Sequence, residues 1–152
     1  MKHSAGVLIY RRAPALEVLL IRPGGPYWAR KDRGAWQIPK GMIETGEDAA
    51  AAARREAAEE LGVALDGELQ PLGDIRQAGG KRVTAFAIAH DFDPEMVQSN
   101  LFEMEWPPRS GKTASFPEVG AARWMSLEEA RQMMLPSQLP LLDRLAELVS
   151  AG

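Results

Sequence analysis

Apolar runs bounded by turn residues predict five strands along this chain. They are expected at about Ser4 to Tyr10, Glu17 to Ile21, Leu69 to Arg76, Lys81 to Asp91 and Val119 to Met125. The first two flank a turn at Ala13-Pro14, and the next two flank Gly79-Gly80. The fourth strand lacks polar alternation, so we expect it to be covered on both faces.

One helix is predicted in the middle of the chain. Thr45 and Asp48 have the spacing of a capping box, which would start the helix near Gly46. The alanine run from Ala49 to Ala53 has high helix propensity. Gly62 is suited to the left-handed residue that follows a helix, so we expect the helix to end close to Leu61.

Two further helices are predicted near the C-terminus. Ser126 and Glu129 form a second candidate capping box, for a helix through Met134. Pro136 is expected to open the last helix, through about Val149. That helix has an apolar stripe that packs on the domain or forms a dimer interface; it consists of Leu139, Leu142, Leu145, Ala146 and Val149.

Three glutamates project from about one face of the central helix. Glu56 lies three residues before Glu59 and four before Glu60, and like charges at these spacings repel. One interpretation is a solvated helix face. The other is a site for a hard divalent cation such as Mg²⁺, which prefers carboxylate oxygens and also binds substrate phosphates. The helix alone does not decide between them.

The loop before the helix does decide. From Gly41 the sequence runs five residues to Glu47, seven more to Arg55-Glu56, then Ala57, one residue, Glu59-Glu60, one residue and Gly62-Val63. This pattern resembles the signature of the Nudix hydrolases, with every charged and glycine position matched. The one departure is Ala57, where the family usually has a larger aliphatic residue; it concerns packing rather than chemistry.

The resemblance implies an α/β (α+β) fold, an α/β/α sandwich with a central mixed sheet and a loop-helix-loop catalytic motif. It implies a pyrophosphohydrolase in which Glu56, Glu59 and Glu60 bind Mg²⁺ or Mn²⁺. By the same resemblance Arg55 and Glu47 join the loop to the helix. Glu118, in the FPEVG turn, is the candidate general base, although an exposed turn acid is an equal alternative.

The substrate is less well defined by the sequence. Lys40, Arg22 and Trp28 are the candidate substrate-binding residues, since a basic and aromatic loop runs from Arg22 to Trp36. The alternative is a solvated loop whose tryptophans cover the edge of the core. With Lys40 before the signature glycine, the chain resembles family members that act on dinucleoside polyphosphates or diphosphoinositol polyphosphates. Nucleoside triphosphates, ADP-ribose, other sugar nucleotides and some non-nucleotide polyphosphates are also family substrates. A nucleotide-sensing or protein-binding module is the alternative function.

Composition sets outer limits on these interpretations. The 152 residues are expected to form a single domain, 1–152, and a net charge of −3 argues against nucleic acid as a partner. No apolar run is long enough to span a membrane, and there is no cysteine. We therefore expect a cytoplasmic monomer or homodimer. His90 is expected to be structural, and the segment from Pro94 to Phe116 to be a long loop that is either functional or disordered.

Overall fold

A mixed β-sheet forms the centre of the fold. The computed structural model describes residues 2–12, 14–97 and 100–151, so Ala13 of the predicted first turn lies outside the described residues. The strands are β1 His3–Arg12, β2 Leu16–Pro23, β3 Lys40–Met42, β4 Gln70–Gln77, β5 Lys81–Ala89, β6 Leu101–Glu105, β7 Thr113–Pro117 and β8 Val119–Ser126. The helices are α1 Ala49–Leu61, α2 Leu127–Met133 and α3 Pro140–Ala151, with short 3-10 turns at Ala78–Gly80, Pro94–Met96 and Pro136–Gln138.

The strand order is β4-β5-β1-β2-β8, with the short β3 also paired to β1. β1 runs parallel to β5 and antiparallel to β2 and β3, so the sheet is mixed, as predicted. β3 was not predicted from the sequence. Its three residues pair with Ser4 to Gly6 of β1, and this pairing carries the chain into the loop that precedes α1.

Alternate residues of β1 point into two apolar layers. Val7 and Ile9 belong to the layer that Ala53 and Ala57 of α1 cover, whereas Leu8 belongs to the layer under α2 and α3. The residues from 85 to 88 of β5 are all buried, which confirms that this strand is covered on both faces. Within the described residues no helix is both long and apolar enough to cross a membrane.

The start of α1 corrects one prediction. α1 begins at Ala49, not near Gly46, because Asp48 is itself the N-cap: its Oδ1 accepts a hydrogen bond from the Ala51 N–H at 2.7 Å. The proposed pairing of Thr45 with Asp48 as a capping box was therefore wrong. Gly62 adopts the left-handed conformation, with φ of 70°, so the predicted helix end is confirmed.

The last helix begins later than predicted. Pro136 opens a 3-10 turn, and α3 starts at Pro140, a residue suited to the first helical position. Leu142 and Leu145 are fully buried in the layer beneath α3. Its apolar stripe therefore packs on its own domain.

The segment from Pro94 to Phe116 is not a long loop, and that prediction was wrong. It contains a hairpin in which β6 pairs antiparallel to β7 as a separate two-stranded sheet. Phe102, Met104, Ala114 and Phe116 share one half-buried face, and the residues between them are exposed. This period-two alternation was the signal that the sequence carried for the hairpin.

Candidate active site

Two glycines allow the loop before α1 to approach its neighbours closely. A Cβ on Gly41 would lie 2.0 Å from the carboxyl carbon of Glu56, so only glycine leaves room for that carboxylate. A Cβ on Gly6 of β1 would lie 2.7 Å from both the Lys40 Cβ and the Pro39 carbonyl oxygen. Lys40 therefore packs against the backbone of Gly6, and the Glu56 carboxylate packs against the backbone of Gly41.

Arg55 joins the loop to the helix, as the resemblance implied. Its Nε donates to Glu47 Oε2 at 2.8 Å and its Nη2 to Glu47 Oε1 at 3.1 Å, a paired geometry that only a guanidinium provides. Nη2 also donates to the Met42 carbonyl at 2.8 Å. Glu47 Oε1 in turn accepts from the Glu44 N–H at 3.0 Å and closes the turn. Arg55 holds the pKa of Glu47 below its ordinary value.

The same arginine also contacts Glu56 and Glu59 of the helix. Nη1 of Arg55 donates to Glu56 Oε1 at 2.8 Å and lies 3.3 Å from Glu59 Oε2. Burial nevertheless raises the pKa of Glu56, and the Arg55 hydrogen bond opposes that rise only in part. Glu56 is therefore a half-buried carboxylate that needs a further positive charge.

The pKa of Glu60 departs strongly from its ordinary value. Its Oε2 is buried and has no hydrogen-bond partner among the described residues. Burial is the main reason that the pKa of Glu60 rises to about 8, and the charge of Glu56 adds to the effect. Lys40 opposes it, while burial lowers the pKa of Lys40 itself. Lys40 thus lies beside Glu60 but does not satisfy both of its oxygens.

Glu118, although distant in sequence, is close enough for its charge to act on this cluster. Its negative charge contributes to the raised pKa values of both Glu56 and Glu60, whereas its own side chain is exposed. The backbone fixes its position, because its N–H donates to the Asn100 carbonyl and its carbonyl accepts from the Gly24 N–H, each at 2.9 Å. The fold thus brings an exposed carboxylate within electrostatic range of two half-buried ones.

The donor set fits a divalent cation. Glu60 has a buried oxygen without a hydrogen-bond partner among the described residues, and the pKa of the Glu56 carboxyl group is raised. A hard cation would stabilise both carboxylates. In the described part of the chain, no three acidic or histidine side chains are arranged so that they could hold a metal ion together. The Glu59 carboxylate is exposed, and its Oε2 lies 3.3 Å from Arg55 Nη1.

Arg22 and Trp28 make contacts with other residues of their own loop. Arg22 lies on the same face of β2 as Val18 and Leu20, because the three residues are spaced two apart. The side chains of Val18 and Leu20 lie in the apolar layer away from α1. Its Nη1 donates to the Lys31 carbonyl at 3.3 Å. Trp28 meets the Tyr27 ring edge-on at 5.4 Å. The structure shows no contact between either residue and the signature glutamates among the described residues, so their substrate role stays a prediction.

The other tryptophan of this loop belongs to the core. Trp36 is only 2% exposed, and its Nε1 donates to Asp32 Oδ1 at 2.8 Å. This matches the alternative interpretation of the loop, in which a tryptophan covers the edge of the core.

Gln138 supports the site and was not predicted. It is fully buried, its Oε1 accepts from the Ile38 N–H at 2.9 Å, and its Nε2 donates to Gln77 Oε1 at 2.9 Å. It therefore fixes the extended chain that leads to Lys40. A single glutamine after Pro136 and Ser137 carries no sequence signal for such a role.

Comparisons with known proteins agree with this geometry. The chain matches the NUDIX domain family over residues 2–145. It is 31% identical over 144 residues to a protein from Caulobacter vibrioides named RNA pyrophosphohydrolase, covering 81% of this chain and 77% of that protein.

Two solved structures share the fold. A Caenorhabditis elegans Ap4A hydrolase, in a binary complex, superposes with a TM-score of 0.68 at 22% identity over 98% of this chain and 99% of that one. The NUDIX domain of Shewanella oneidensis NrtR, complexed with ADP ribose, gives 0.69 at 18% identity over 98% and 88%.

The chain belongs to the Nudix family. The predicted fold class and the predicted enzyme class are confirmed: this is a pyrophosphohydrolase with a mixed α/β fold. Nudix hydrolases generally use divalent metal ions, in agreement with the donor set described above.

Proposed function

We propose that this enzyme hydrolyses a diphosphate linkage in a nucleoside diphosphate joined to a further group, with Mg²⁺ or Mn²⁺ as cofactor. One observation carries the proposal: Glu56 and Glu60 are half-buried carboxyl groups whose pKa values are raised, and the charge of Glu118 contributes to both shifts. Repulsion and burial both disfavour such a cluster unless a cation offsets them. A divalent cation would also neutralise phosphate charge and activate water for hydrolysis of a phosphoanhydride.

The residues of the site have three different roles in this proposal. Glu56, Glu59 and Glu60 would hold the metal, which when bound neutralises phosphate charge and makes water more acidic. Arg55 and Glu47 are positioning residues that fix the direction of the Glu56 carboxylate. Lys40 offers a cation to the substrate phosphates.

Glu118 is the proposed general base. It is the exposed member of the cluster, so it is free to accept the proton of the attacking water. Its replacement by glutamine should lower kcat by about 100- to 10,000-fold. The Mg²⁺ concentration at half-maximal rate should stay near the wild-type value. Unchanged kcat would move the base elsewhere.

Two classes of substrate are favoured. Dinucleoside polyphosphates and nucleoside triphosphates fit the lysine beside the carboxylates, since a point charge there suits a long phosphate chain. The similarity to an RNA pyrophosphohydrolase supports a second candidate, an RNA with phosphoanhydrides at its 5′ end. This second candidate departs from our expectation that nucleic acid is not a partner. The cytoplasmic location and the oligomeric state stay predictions.

The test is product analysis by chromatography and mass spectrometry. The protein is incubated with Mg²⁺ or Mn²⁺ and a panel of diadenosine polyphosphates, nucleoside triphosphates, ADP-ribose and 5′-triphosphorylated RNA. Metal-dependent cleavage of one class would support the proposal and identify the substrate. Absence of cleavage across the panel would refute it and favour a nucleotide-binding module.

A further inference from the structure

The base of the β6–β7 hairpin adjoins Glu118 of the candidate active site. Its second strand ends at Pro117, next to Glu118. The backbone of Glu118 forms hydrogen bonds with the backbones of both Asn100 and Gly24. A Cβ on Gly24 would lie 1.9 Å from the Pro117 carbonyl oxygen, so the base of the hairpin rests tightly on that loop. The opposite end of the hairpin therefore extends away from the carboxylate cluster.

The tip of the hairpin, residues 106 to 112, is fixed by hydrogen bonds. The carboxylate of Glu105 accepts from the backbone N–H groups of Arg109 at 2.9 Å and Gly111 at 3.3 Å. The Ser110 hydroxyl accepts from the Lys112 N–H at 3.1 Å. Arg109 is the one non-glycine residue with a positive φ, 62°, within the described chain. An isolated two-stranded hairpin is only marginally stable. These hydrogen bonds within the hairpin therefore help to fix the conformation of the tip.

The tip displays one aromatic ring and two cations. Trp106 is 39% exposed, and the side chains of Arg109 and Lys112 are exposed. Neither cation forms an ion pair with any described residue. Glu105, the last residue of β6, is the acid next to the tip, and both of its carboxylate oxygens accept hydrogen bonds from the backbone. An indole beside two free cations is the chemistry that binds single-stranded nucleic acid, through base stacking and phosphate contacts.

The length of the hairpin indicates how large the ligand must be. Five residues in each strand span ~17 Å at ~3.4 Å per residue. At ~3.4 Å per stacked nucleotide, this separation corresponds to about five nucleotides beyond the carboxylates. A mononucleotide whose phosphates lie at Glu60 would not reach the tip.

We propose that Trp106, Arg109 and Lys112 form a binding site for the single-stranded part of an RNA whose 5′ phosphates occupy the carboxylate cluster. The inference rests on the proposed hydrolase function and selects RNA among its candidate substrates. The tip raises affinity for long substrates and takes no part in the chemical step.

Steady-state kinetics with substrates of different length test the site. ATP, a 5′-triphosphorylated dinucleotide and a 5′-triphosphorylated oligoribonucleotide of about ten nucleotides are compared. Trp106→Ala should raise KM for the long oligonucleotide about 10-fold, because stacking is lost. KM for ATP and every kcat should stay at wild-type values, and Trp106→Phe, which keeps an aromatic ring, should restore most of the affinity.

The charges are tested by salt dependence. Arg109→Asn, which tolerates a positive φ, is combined with Lys112→Gln. The slope of log KM against log salt for the long oligonucleotide should fall by ~0.7 for each charge removed. The matched control is Arg131→Gln, which replaces a surface arginine of α2 that is paired with Asp143 of α3, and it should leave the slope unchanged.

The outcomes separate this site from the function on which it rests. If the wild-type protein hydrolyses nothing in the panel, the proposed function fails. If it hydrolyses substrates but the tip variants leave KM for the long oligonucleotide unchanged, or raise KM equally for ATP, the hairpin tip is not an RNA site. Hydrolysis of diadenosine tetraphosphate with no hydrolysis of the oligonucleotides would also overturn the inference.

Discussion

Replacing Glu60 by glutamine should stabilise the metal-free protein while it abolishes activity. In the folded state burial raises the pKa of Glu60 from 4.5 to about 8. At ~1.36 kcal/mol per pKa unit, that difference corresponds to a ceiling of ~5 kcal/mol against folding once the group is fully ionised. A buried carboxamide with an unpaired polar atom still costs ~1–2 kcal/mol, so the expected net gain is roughly 3 kcal/mol.

The effect should depend on pH in a defined direction. Below pH 4.5, Glu60 is protonated in both the folded and the unfolded state, and the pKa difference contributes nothing. Between pH 4.5 and about 8, the folded protein keeps a proton that the unfolded chain has released. The free energy of unfolding of the wild-type protein should therefore fall as pH rises through this range, relative to the variant.

Urea and thermal unfolding in EDTA, from pH 5 to pH 9, measure the difference. Glu60→Gln should have a Tm higher by on the order of 8 °C at pH 8 and a Tm close to wild type near pH 5. Mg²⁺ should then raise the Tm of the wild type but not that of the variant, because only the carboxylate binds it strongly. A variant that is less stable than wild type at pH 8 in EDTA, or a difference independent of pH, would refute the reasoning.

Three other substitutions test the supporting contacts. Arg55→Lys keeps the charge but loses the paired hydrogen bonds, so kcat should fall ~10–100-fold in steady-state assays, and a wild-type kcat would contradict this. Gly41→Ala should displace the Glu56 carboxylate and lower turnover at least ~10-fold. Its control, Gly46→Ala, meets no atom within 4 Å and should keep turnover while losing ~1 kcal/mol of stability; equal losses of turnover would contradict the steric argument. Gln138→Leu should cost ~1–3 kcal/mol in urea unfolding because it leaves a buried N–H unpaired, whereas a change below ~0.5 kcal/mol would contradict that role.

Local patterns account for what the sequence predicted well. The helix that carries Glu56, Glu59 and Glu60 follows from alanine propensity, a left-handed glycine and the 3.6-residue period, all of which act within one helix. The strands of the main sheet follow from apolar runs. Their ends differ from the prediction by at most two residues, since pairing with neighbouring strands rather than propensity sets where a strand stops.

Contacts between distant segments account for what was missed. β3 has only three residues and exists because β1 lies beside it. Gln138 acts across 100 residues on Ile38, and no local pattern marks such a pair. Glu118 was identified by family resemblance and not by spacing, because its place beside the glutamates depends on the whole sheet. The β6–β7 hairpin is different: its alternation was visible, but the proline-rich tip concealed it.

The most direct test of the account is turnover of the best substrate as a function of Mg²⁺ concentration, for the wild type and Glu60→Gln. Saturable metal-dependent hydrolysis, lowered by at least ~100-fold in the folded variant at every Mg²⁺ concentration, is the predicted result. Wild-type turnover by Glu60→Gln at saturating Mg²⁺ would contradict the claim that this buried carboxylate holds the catalytic metal.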